Sequence, residues 1–174
     1  MSHNVEQPNN PRIPSAIQVP EGNEFKFLLY ALGLNVYVCN TTTPEWVFTR
    51  AIDTTLINDI TKKEMFITKY EVAEHFFLDK PVNGGSAIWK SLVPGDTSFV
   101  ITVLAADTLS PDGTDNIDWL LLNVTATGGH GAFADNTYIL RVNTQKGIPP
   151  PASECETDGD EIRSDFLVEY WFYR

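Results

Sequence analysis

Basic residues are scarce in this chain: 12 Lys and Arg stand against 23 Asp and Glu, a formal net charge of -11 over 174 residues. Binding to nucleic acid or to an anionic lipid surface draws on clustered cations that displace counterions, and so few cations supply little of that. Nucleic acid and membrane surfaces are therefore disfavoured as partners. Long apolar runs are also missing, and none approaches the ~20 residues of a membrane-spanning helix. Residues 1–20 are polar and interrupted by proline, so they do not read as a signal peptide. Cysteine is limited to Cys39 and Cys155, with no CxxC and no Cys/His cluster, which gives zinc no ligand set. Those two cysteines either form a long-range disulfide or serve as small buried apolar side chains, and the polar surroundings of Cys155 favour pairing. No Gly-x-Ser-x-Gly elbow, phosphate-binding loop or His-Glu-x-x-His is present.

What the chain does have is a globular composition, 43% hydrophobic and 20% charged, which excludes a disordered or low-complexity chain. Its length suits one domain. β-branched and aromatic runs bounded by turn residues recur at 25–32, 35–39, 45–50, 86–90, 98–104, 117–125, 136–143 and 166–173. The stretch 56–77 fits either a helix or two strands, with 66–70 leaning to strand by propensity. Ser110-Pro111-Asp112-Gly113 and Asn83-Gly84-Gly85 are turn signals. About eight to ten strands joined by turns predict an all-β fold. The expected architecture is an antiparallel two-sheet sandwich, with a flattened β-barrel as the alternative and few or no helices. Residues 1–18 read as an extended arm and 19–174 as a single domain.

Aromatic side chains offer the best ligand argument. A sugar ring stacks its C–H face on a flat side chain while neighbouring polar groups bond its hydroxyls. Trp119 and Trp171 sit in apolar runs and read as core. Trp89, beside Gly84, Gly85 and Lys90, reads as the exposed platform, with Asn83, Lys90 and His130 as polar candidates around it. His75 reads as an edge-strand side chain. The acidic loop 154–161 could wrap Ca²⁺ through Asp158 and Asp160, though its spacing is not that of an EF-hand and a solvated turn explains it as well. Otherwise no cofactor is implied. Asn40 heads a glycosylation triplet that matters only for a secreted chain.

The expected function is a non-enzymatic, lectin-like carbohydrate-binding module acting as a homo-oligomer, since multivalency multiplies weak sites. One alternative is a structural or defence-associated protein that self-assembles. Another is a hydrolase with a carboxylate pair that the sequence does not single out.

Several stretches also carry a family likeness: Val19-Pro20-Glu21-Gly22-Asn23, Val36-Tyr37-Val38-Cys39, Trp46-Val47-Phe48, Asp118-Trp119-Leu120-Leu121-Leu122, Tyr138-Ile139-Leu140-Arg141-Val142-Asn143-Thr144, Gly147, Cys155 and Glu169-Tyr170-Trp171-Phe172-Tyr173-Arg174. Together they resemble a fungal and bacterial family catalogued as domain of unknown function 3455. The resemblance implies a β-rich single domain, a Cys39–Cys155 disulfide and an extracellular or cell-surface setting. It brings no catalytic residue. Some fungal members bear a "malate dehydrogenase" label, which the residues do not support. Dinucleotide binding needs a glycine-rich turn from strand to helix, whereas Gly128-Gly129-His130-Gly131 leads to another strand.

Overall fold

The computed structural model describes residues 6–8, 12–62 and 70–174. Its strands are β1 (Phe25–Asn40), β2 (Glu45–Ile57), β3 (Ala73–Val82), β4 (Gly85–Ser91), β5 (Phe99–Thr108), β6 (Trp119–Gly128), β7 (Tyr138–Lys146) and β8 (Glu161–Tyr173). They form one closed antiparallel barrel in chain order, with β8 returning to pair with β1. Short 3-10 turns lie at Ser15–Ile17, Ile60–Lys62 and Ala152–Glu154, and no α-helix occurs among the described residues. The strand expected at 66–70 lies, Tyr70 apart, outside them.

The barrel replaces the two-sheet sandwich and matches the alternative. Alternation of apolar and polar residues specifies an inward face in either architecture and cannot separate them. Closure comes from the 16-residue β1, which pairs with β2 along one side and with β8 along the other. The two runs expected at 25–32 and 35–39 are one continuous strand through Gly33. A Cβ at Gly33 would lie 2.7 Å from Phe166 Cζ and 2.7 Å from Thr54 Oγ1, so a side chain there would disturb the interior.

β8 shows how the faces divide. Phe166, Val168, Tyr170 and Phe172 join the interior with Leu29, Leu56, Ala73, Trp89, Val100, Leu122 and Ile139. The alternating Trp171 and Tyr173 belong to a second cluster outside the barrel, with Trp119, Leu121, Leu140 and Val142. Ile13, Ile17 and Val19 roof that outer cluster, so the inner part of the N-terminal arm lies docked on the barrel wall.

One seam is nearly unpaired. β2 and β3 meet only at Thr55–Glu74 and Leu56–Ala73, after which their backbones diverge. The disulfide Cys39–Cys155 is formed and ties the end of β1 to the 147–160 loop. That loop lies at the barrel end where β1–β2, β3–β4, β5–β6 and β7–β8 connect.

Candidate functional site

A cavity of about 330 Å³ occupies the disulfide end of the barrel, within the range of small-ligand sites. Its apolar wall includes Phe77, Ala87, Leu104, Leu120 and Leu122; its polar groups are His75, Thr102, Arg141 and Tyr170, with Trp89 beside them. Among the described residues no Asp or Glu lines it. A second hollow of about 310 Å³ under the 109–118 loop shares Leu120 and Arg141 with it.

Arg141 stands two residues from the interior Ile139 on β7, so the strand's period of two turns it inward. Its Nε and Nη2 both donate to the Asp118 carbonyl oxygen, at 3.1 and 2.8 Å. Arg12, Arg50, Arg163 and Arg174 each have a carboxylate within 4.0 Å. Among the described residues Arg141 has none. A guanidinium carries five N–H donors, so donors remain beyond those spent on Asp118. Tyr170 takes up one neighbouring position: burial raises its pKa, while the charge of Arg141 and a hydrogen bond to it oppose that shift.

His75 is stacked on Trp89, ring centroids 4.1 Å apart and planes 11° from parallel, with Tyr170 edge-on at 5.6 Å. Its Nδ1 lies 2.8 Å from the Ile88 carbonyl oxygen. That contact requires the hydrogen on Nδ1, which leaves Nε2 as an acceptor. Burial lowers the His75 pKa to about 4, with Ile88 opposing and Arg141 adding to the shift. At neutral pH the imidazole is therefore uncharged, and Arg141 supplies the fixed charge of the cavity. Trp89 Nε1 and Thr102 Oγ1 are buried without a protein partner. Such atoms cost about 1–3 kcal/mol each when unsatisfied.

The exposed sugar platform expected at Trp89 is corrected: the side chain is 1% exposed and points into the barrel. Its pairing with Val100 and with His75 decides this. His75, expected at a strand edge, is likewise inside. The other predicted ligand residues do not join them. Asn83 sits in the β3–β4 turn and donates to the Thr125 carbonyl, Lys90 is exposed on β4, and His130 is exposed in the 129–137 loop. That loop connects strand to strand. Asp158 accepts from Thr41 N and Thr41 Oγ1 at 3.0 and 3.2 Å, bracing the turn beside Cys39. Among the described residues no three His, Cys, Asp or Glu side chains converge as a metal site.

The sequence does not single out Arg141 or Tyr170 as site residues, and it reads His75 only as an edge-strand side chain. A signal was present for Arg141, a lone cation inside Tyr138-Ile139-Leu140-Arg141-Val142 on the parity of Ile139.

A barrel with its polar groups gathered at one inner end defines a class, a closed all-β domain with an internal cavity. A family model described as "Protein of unknown function (DUF3455)" matches residues 20–174, and the chain belongs to that family. No curated protein and no solved structure matches the chain.

Proposed function

We propose that this is a non-enzymatic binding module that takes a small organic anion into the disulfide end of its barrel, with Arg141 holding the anionic group. The observation that carries the reading is Arg141 itself, an inward guanidinium with no carboxylate partner among the described residues. Arg141 is half-buried, a cation partly withdrawn from water gains from a counter-charge, and a carboxylate meets a guanidinium with short, charge-assisted hydrogen bonds. Neutral His75 brings no second charge, so Arg141 is the group that meets the anion. A glycan is a weaker candidate at this place, because His75 already covers one face of Trp89. A carboxylate-pair hydrolase finds no pair among the described residues of this cavity. The disulfide supports an oxidising, extracellular setting.

The test is calorimetric titration of the folded protein with hexanoate and benzoate, beside a glycan panel. Arg141→Gln should weaken carboxylate binding roughly 10- to 100-fold, the worth of hydrogen bonds to a charged group. Arg141→Lys, which keeps the charge but not the fork, should fall between. Binding unchanged in a folded Arg141→Gln variant, or no carboxylate binding at all, overturns the reading.

Self-association is the second reading, and the β2–β3 seam favours it. Val47, Phe48, Phe76, Phe77 and Val82 are exposed along two strand edges that lack backbone partners there.

A further inference from the structure

The open seam and the cavity share a residue. Phe77 lines the cavity and also faces Phe48 across the gap between β3 and β2, with ring centroids 6.3 Å apart. Phe48 in turn meets Tyr37 at 5.9 Å, and Phe77 meets His75 at 5.5 Å. Where hydrogen bonds between β2 and β3 stop, the wall is thus closed by a row of rings rather than by backbone. Phe48 and Phe77 are 45% and 44% exposed, so the same row is apolar and open to solvent. Backbone pairing resists opening because each broken bond must be remade with water; two ring edges part at little cost.

We infer that the occupant is an amphipathic monoanion with an unbranched hydrocarbon tail, a medium-chain fatty acid in chemical class. Its carboxylate meets Arg141 and its tail leaves the barrel between Phe48 and Phe77. This rests on the anion reading above and adds the tail and its route. The cavity supports both halves: one cation at its polar wall, and apolar lining from Leu104, Leu120, Leu122 and Phe77, of which Phe77 borders the seam. A compact anion leaves the Phe48–Phe77 row uncovered, whereas a tail covers it.

The experiment titrates the full chain with hexanoate, octanoate, decanoate and dodecanoate, each below its micelle concentration, by calorimetry. Affinity should rise about fourfold per added methylene, as burial of each CH₂ predicts, and level off once the tail has cleared the rings. Phe48→Asp, at an exposed position, should flatten the series. Val47→Asp, on the opposite face of the same strand, should leave the whole series as in the unaltered protein. Circular dichroism confirms that both variants fold. Affinity independent of chain length, but still lost in Arg141→Gln, overturns the tail and leaves the anion reading standing. Loss of binding for every carboxylate in the unaltered protein removes both. Sedimentation showing a dimer that Phe48→Asp dissociates, with a flat chain-length series, assigns the seam to a second copy and overturns the inference.

Discussion

His75 is the residue whose chemistry the barrel changes most. Burial against Trp89 lowers its pKa to about 4, whereas an unfolded chain holds a histidine near 6.5. Between those two values the unfolded state binds a proton and the native state does not. Stability is therefore complete above about pH 6.5 and falls as the pH drops towards 4, by roughly 3 kcal/mol in all. Denaturant midpoints at pH 7 and pH 4.5 should fall more steeply for the unaltered protein than for His75→Phe. Equal slopes would refute the assignment. At this same scale Arg141 was legible and Trp89 was not. A cation on the inward parity of β7 can be counted off from Ile139. The exposure of Trp89 was inferred from Gly84, Gly85 and Lys90 beside it, but the face it shows depends on Val100 and His75, far along the chain.

Elements carry the next level of argument. The run 166–173 of β8 reads as alternating between two faces, because a strand's side chains must point to opposite sides. What lies outside those faces did not follow. Ile17, in a segment read as an arm, is fully buried over Trp119, Leu121 and Trp171. Its backbone is pinned by Ile17 N donating to the Pro14 carbonyl at 3.1 Å. Ile17→Ala should cost about 2–5 kcal/mol, the range for truncating a buried isoleucine, read as a lower urea midpoint with an unchanged slope. A loss under about 0.5 kcal/mol, the size of an ordinary surface change, would mean the segment contributes little to the fold. A stretch with Pro11 and Pro14 and few apolar residues gives no periodic signal, so nothing local marks Ile17 as core.

For the whole molecule, closure and the disulfide act together. Cys39 and Cys155 are 116 residues apart, and cross-linking that span restricts the unfolded chain by about 4–5 kcal/mol in the chain-entropy model. The bond also ties the 147–160 loop to the end of β1, and Tyr37 Oη donates to the Gly147 carbonyl at 2.6 Å. Cys39→Ala with Cys155→Ala should lower the melting temperature by roughly 8–20 °C in a domain of this size. A change of a degree or two would show that closure through β1 and β8 suffices by itself.

The sequence determined the all-β class, most of the strand runs and, through family likeness, the cysteine pairing. These are local or compositional properties: residue preference, a period of two, and turn chemistry act over a few positions. Tertiary structure alone decided that the sheet closes into a barrel, that β2 and β3 part beyond Thr55 and Leu56, and that Arg141, His75, Trp89 and Tyr170 share one cavity. Each of those depends on register between strands distant in the chain, and register is set by how the whole set of faces packs.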